Sequence, residues 1–88
     1  MIGFIGYGNM GSMLVKKFIG ERILKPEEII VSTRTKSKLL GLKEVYPKIN
    51  IAENNKDLAK KAKYIFICVK QPEVKGVLDE IKEFFEKY

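Results

Sequence analysis

The 88-residue sequence predicts an α/β fold, a doubly wound parallel sheet of about four strands in the order 3-2-1-4 with flanking helices. Two observations predict it. Strand and helix signals alternate four times along the chain, the pattern of parallel strands joined by crossover helices. The apolar run Ile2-Gly3-Phe4-Ile5 also leads straight into Gly6-Tyr7-Gly8-Asn9-Met10-Gly11, a Gly-x-Gly-x-x-Gly turn, and an amphipathic helix follows. Right-handed crossovers then fix the strand order.

The first strand is expected at 2–6 and the first helix at about 9–20, with Met10, Met13, Leu14 and Phe18 at helical spacing on its apolar side. Pro26 ends the next loop, and Glu28-Ile29-Ile30-Val31-Ser32 reads as the second strand. Thr35 or Ser37 can cap the second helix, which turns Leu39, Leu42 and Tyr46 inward until Pro47 stops it. Ile49-Asn50-Ile51 is a short third strand. Asn54 or Asn55 caps a short third helix containing Leu58, Ala59 and Ala62. The run from Tyr64 to Val69 is apolar throughout, as expected of a fourth strand covered on both faces. The last helix, from about 73 to 87, presents Val74, Val77, Leu78, Ile81, Phe84 and Phe85 on one side.

Residues 1–88 make one domain at most, and a chain of this length buries only about 60–65% of its unfolded surface. Its net charge of +6 comes from lysines scattered over helical faces, the densest cluster being Lys60, Lys61 and Lys63. No nucleic-acid module signature accompanies them, so nucleic acid is not expected as a partner. The apolar stretches are of strand length, which excludes a membrane span. Met1 leads directly into the first strand, and the single Cys68 has no internal disulfide partner. Cytoplasm is therefore the expected compartment.

The glycine turn carries the chemistry. Gly6 permits the tight turn, Gly8 lets a pyrophosphate approach the backbone, and Gly11 lets helix and strand pack closely. Free N–H groups at the helix start complete an anion site. This is the dinucleotide-binding fingerprint of a partial Rossmann sheet, in a chain that ends before the six strands of the full fold. The fourth strand then has an edge without a partner, which predicts a homo-oligomer or a piece of a longer parent.

An enzyme using NAD places Asp or Glu about 20 residues past the turn, on the ribose 2′-hydroxyl. The equivalent segment here, Ser32-Thr33-Arg34, contains no carboxylate, and Lys36 follows closely. Arg34 can grip a 2′-phosphate bidentately while Ser32 or Thr33 donates to it, which favours NADP over NAD. The alternative is a polar helix cap with a solvated arginine. Asn55 reads first as a helix cap and second as a cofactor contact. Val69, Lys70 and Gln71 leave the fourth strand on the same rim as the turn and can meet the nicotinamide half. Cys68 reads as a small core residue, since the sequence has no His to act as its base.

Taken together, the stretches Ile2 to Gly11, Ile29 to Thr35, Asn54 to Asp57 and Phe66 to Lys70 resemble the N-terminal domain of the pyrroline-5-carboxylate reductase family. The Gly8-Asn9-Met10-Gly11 form of the turn is the most specific part. The chain is similar also to late-competence reductase-like proteins and to the F420-dependent NADP oxidoreductase domain. The resemblance implies an NADP-dependent oxidoreductase that reduces a small imine, 1-pyrroline-5-carboxylate, to proline. It implies cofactor contacts at Ile5, Gly6, Tyr7, Gly8, Asn9, Met10, Ser32, Arg34, Asn55, Cys68, Val69, Lys70 and Gln71. Two departures limit it. The family's Val-Lys-Pro is here Val69-Lys70-Gln71-Pro72, and its helical C-terminal region, which supplies dimerisation and the substrate pocket, is missing. No catalytic residue and no metal ligand is therefore assigned, and the chain alone is expected to be inactive. The alternative function is a non-catalytic, NADP-binding regulatory module.

Overall fold

In the computed structural model, which describes residues 1–84, the elements are β1 (Ile2–Ile5), α1 (Asn9–Gly20), β2 (Ile29–Ser32), α2 (Ser37–Val45), β3 (Asn50–Ile51), α3 (Asn55–Lys61), β4 (Tyr64–Ile67) and α4 (Gln71–Ile81). Short 3-10 turns at Pro26–Glu28 and Lys82–Phe84 lead into β2 and out of α4. The four strands form one parallel sheet in the order β3-β2-β1-β4, as the sequence predicts. The expected inward role of Phe85 lies outside the described residues. α4 starts at Gln71 rather than near 73, because Pro72 is accommodated in its first turn, where a missing N–H breaks no helical bond.

Alternation along the strands divides the core into two layers. Phe4 and Val31 face one way, joining Val15 of α1 and Leu39 and Leu42 of α2. Ile5 and Ile30 face the other way, joining Leu58 and Ala59 of α3 and Val77 and Ile81 of α4. All four of these strand residues are at most 2% exposed, as expected for strands covered on both faces.

Three packing expectations need correction. Met10 and Met13 are each 60% exposed. The inward stripe of α1 runs instead through Gly11, Leu14, Val15 and Phe18, whose spacing leaves both methionines on the flank. On α4, Val77 and Ile81 are buried, whereas Leu78 sits beside that stripe and is exposed. β4 is not covered on both faces: Tyr64 is 61% and Phe66 41% exposed, while Ile65 and Ile67 pack beneath the α3–α4 layer. Phe66 stacks on Phe4 with ring centroids 5.1 Å apart and touches Phe18 at 5.8 Å. Among the described residues β4 pairs only with β1, so its apolar sequence belongs to an edge strand.

The cap positions also resolve. Neither Thr35 nor Ser37 caps α2; Lys36 occupies the N-cap position, and its side chain makes no capping hydrogen bond. Asn54 caps α3, its Oδ1 accepting the Asp57 N–H at 2.7 Å. Asp57 Oδ2 in turn accepts the Glu53 N–H at 3.0 Å, and Asp57 Oδ1 lies 3.2 Å from Lys61 Nζ. The Glu53 amide first, and Lys61 second, hold the Asp57 carboxyl below the ordinary aspartate value. A carboxyl whose folded pKa is lowered stabilises the fold above its unfolded pKa of about 3.9 and loses that contribution as pH falls through the folded value. Thermal melts followed by circular dichroism are therefore expected to place Asp57→Asn below wild type near neutral pH. The gap should close as pH falls below the unfolded value and through the lowered folded one.

Candidate functional site

The polypeptide leaves β1 between the ends of its two neighbours. The Gly6 N–H donates to the Ser32 carbonyl at 2.7 Å, and the Cys68 N–H donates to the Ile5 carbonyl at 2.7 Å. The sheet order reverses here, between β1 and β4, and crevices of open α/β sheets lie at such a point on the carboxyl rim.

Each glycine of the turn meets a different local demand. Gly6 has φ +94°, and a Cβ there would stand 2.8 Å from the Cys68 carbonyl oxygen and 2.9 Å from Val69 Cγ1. A Cβ at Gly11 would collide with the Gly6 carbonyl oxygen. Gly8 faces open space, with no heavy atom within 4 Å of its Cβ direction. Gly8 is also the N-cap of α1 and supplies no side-chain cap, and the first turn of α1 contains no acidic residue. The first N–H groups of a helix have no intrahelical acceptor, so this uncapped start is an open anion cradle with the positive end of the helix dipole behind it.

The cleft above the turn gathers Ile5, Gly6, Tyr7 and Gly8 from the β1–α1 corner and Ser32, Thr33 and Arg34 from the end of β2. Asn55 and the Cys68-Val69-Lys70 segment close its far side. Asn9, Met10, Gly11 and Gln71 are outside this lining. Gly11 lies under the turn, and the side chains of Asn9, Met10 and Gln71 are exposed on the first turns of α1 and α4. Thr35, Lys38, Glu73 and Val77 also line the cleft, although the sequence reading gave none of them a place in the site. Lys38 had a readable signal: it sits one turn beyond Arg34 on α2, and helical side chains lean back toward the N-terminus. Lys36, which looked better placed, instead donates from Nζ to the carbonyls of Ala52 and Glu53 at 3.2 and 2.7 Å.

Polar contacts order the floor of the cleft. Ser32 is 3% exposed, and its hydroxyl donates to Asn55 Oδ1 at 2.7 Å. Asn55 Nδ2 donates to Glu80 Oε2 at 3.4 Å. With Asn54 as the helix cap, Asn55 is left to face the cleft. The Ser32 proton is engaged, so Thr33 is the hydroxyl free to donate outward. Arg34 is 83% exposed along its side chain and pairs with Glu73 at 3.8 Å, a solvated contact worth about 0–1 kcal/mol. Burial pushes the Tyr7 phenol up, with Tyr46 adding to it, and burial pushes the Cys68 thiol up. Both stay protonated near neutral pH, so neither is a ready base or nucleophile.

A glycine turn, an uncapped helix start and a cleft at the switch point of a parallel sheet define a Rossmann-type α/β domain. The chain belongs to the family described as NADP oxidoreductase, coenzyme F420-dependent, whose model matches residues 1–87. It is similar to pyrroline-5-carboxylate reductase of Methanobrevibacter smithii, at 36% identity over 86 residues covering 98% of this chain and 34% of that protein. ComE operon protein 4 of Bacillus subtilis is likewise 36% identical over 86 residues, covering 98% of this chain and 32% of that protein. The chain thus spans about a third of the length of the curated relatives it matches. Among solved structures, an imine reductase from Myxococcus stipitatus in complex with NADP+ matches with a TM-score of 0.77 and 25% identity, over 96% of this chain and 28% of that one. Among the described residues, no helix is long and apolar enough to cross a membrane.

Proposed function

We propose that residues 1–88 form the NADP(H)-binding domain of an oxidoreductase of the pyrroline-5-carboxylate reductase kind, which reduces the imine 1-pyrroline-5-carboxylate to proline. One observation carries the reading: Arg34, Lys38 and Thr33 converge on the rim beside an uncapped, acid-free helix start, and the end of β2 offers no carboxylate. This donor set fits a dinucleotide carrying an extra phosphate. The α1 N-terminus receives the pyrophosphate, with Gly8 open to its approach. Arg34 and Lys38 neutralise the 2′-phosphate, and Thr33 donates to it. Asn55, fixed by Ser32, contacts the adenosine ribose. Cys68, Val69 and Lys70 border the path toward the nicotinamide, and Gln71 heads the adjoining helix.

When bound, NADPH supplies a hydride; the chain's own residues bind and orient it. We assign no residue of this chain as proton donor. Tyr7 and Cys68 are held protonated by burial at the floor of the cleft. The imine pocket, and any association of copies that builds it, belongs in this reading to sequence beyond these residues. Titrating the chain with NADPH by cofactor fluorescence, then adding 1-pyrroline-5-carboxylate, tests the proposal. Saturable binding without cofactor oxidation is expected. Failure of NADPH to bind would refute the cofactor role, and turnover would refute the placement of catalysis elsewhere.

A further inference from the structure

Arg34 does not face the cleft alone. Glu73, in the first turn of α4, lines the same cleft, and its Oε1 stands 3.8 Å from Arg34 Nη1. Arg34 follows β2 and Glu73 follows β4, so only the fold brings them together. The two partners are not equally free to move. The Arg34 side chain is 83% exposed on a loop, whereas Glu73 is 39% exposed and seated on a helix whose dipole favours a carboxylate at that end. A solvated ion pair of this kind exchanges readily for a stronger anion.

We infer that Glu73 is a specificity-determining residue that competes with the cofactor 2′-phosphate for Arg34 and lowers the preference for NADP(H) over NAD(H). The inference rests on the NADP(H) reading of the cleft. Binding NADPH requires Arg34 to release Glu73, and it leaves that carboxylate facing a phosphate dianion. NADH carries a hydroxyl at the same carbon and meets neither demand. The advantage of NADPH over NADH is therefore smaller than the arginine-bearing rim alone would indicate.

Calorimetric titration of wild type, Glu73→Gln and Asp79→Asn with NADPH and with NADH tests this. Asp79, exposed on the same helix and outside the cleft lining, controls for the change in net charge. Glu73→Gln is expected to tighten NADPH binding about threefold to tenfold and to leave NADH within about twofold. The gain should shrink at high salt, because it arises from charge. Asp79→Asn should change neither affinity. Glu73→Ala repeats the comparison without an amide able to bond Arg34, and circular dichroism verifies that each variant is folded. A wild-type ratio of NADPH to NADH affinity in folded Glu73→Gln and Glu73→Ala overturns the role of Glu73 while leaving the cofactor reading intact. Wild type that binds neither cofactor, or binds both equally, overturns the reading itself and the inference with it.

Discussion

Alanine at Gly6 destabilises the fold by about 2–5 kcal/mol, whereas alanine at Gly8 leaves it near wild type. The Gly6 figure combines the strain of a side chain at left-handed φ, about 1–2 kcal/mol, with overpacking, about 1–3 kcal/mol. Both have a visible source: φ is +94°, and the added Cβ would stand 2.8 Å from the Cys68 carbonyl oxygen, a backbone atom that cannot swing aside. A chain of this size has only about 4–13 kcal/mol of stability, at about 0.05–0.15 kcal/mol per residue. Gly6→Ala therefore removes a large fraction of it, and Gly11→Ala, which drives its Cβ into the Gly6 carbonyl, belongs to the same class. A Cβ at Gly8 would meet no heavy atom within 4 Å, so the alanine variant is expected to fold and to lose only the close approach of the pyrophosphate in the proposed site. Urea unfolding of the three variants, paired with NADPH titration of Gly8→Ala, separates the two kinds of glycine. Equal destabilisation at Gly6 and Gly8 would contradict the distinction.

Arg34→Ala is expected to weaken NADPH binding about tenfold to a hundredfold and to leave NADH almost unchanged. A hydrogen bond to a charged group contributes about 1.5–3 kcal/mol, and in the proposed site Arg34 meets the cofactor only at its 2′-phosphate. Its high exposure means that truncation removes little packing, so the folded state should be unaffected. Lys38→Ala should weaken NADPH binding in the same direction and by less, since a lysine offers a point charge without the bidentate fork. Calorimetry on the variants with both cofactors reads these effects directly. Parallel losses for NADPH and NADH would place Arg34 away from the 2′-phosphate.

The sheet order and the glycine corner were legible because local rules and the global fold agree there. The apolar strand, the turn and the helix each demand the same backbone path. Legibility failed where the outcome depended on neighbours. The run from Tyr64 to Val69 reads as a strand buried on both faces, but its burial depends on what lies beyond β1's partner, which local pattern does not encode. Met10 and Met13 matched helical spacing as well as the true stripe did, and only the docking of α1 on the sheet, with Gly11 and Val15 buried, separates the two faces. Asn54 and Asn55 are indistinguishable as caps by residue type. The choice comes from Ser32, whose hydroxyl reaches Asn55 across the end of the sheet. Glu73 was invisible for the same reason, since its partner lies two crossovers earlier.

Amide chemical-shift mapping of the isotope-labelled chain during titration with NADP+ tests the central claim most directly. The largest shifts are expected in two clusters, at Gly6 to Gly11 around the α1 start and at Ser32 to Thr35 on the β2 rim. Asn55 should follow them, and the basic surface of Lys56, Lys60 and Lys61 on α3 should stay unmoved. The β2 cluster should weaken when NAD+ replaces NADP+, while the α1 cluster persists. Shifts centred on the lysines of α3, or no saturable shift at the glycine corner, would contradict the account.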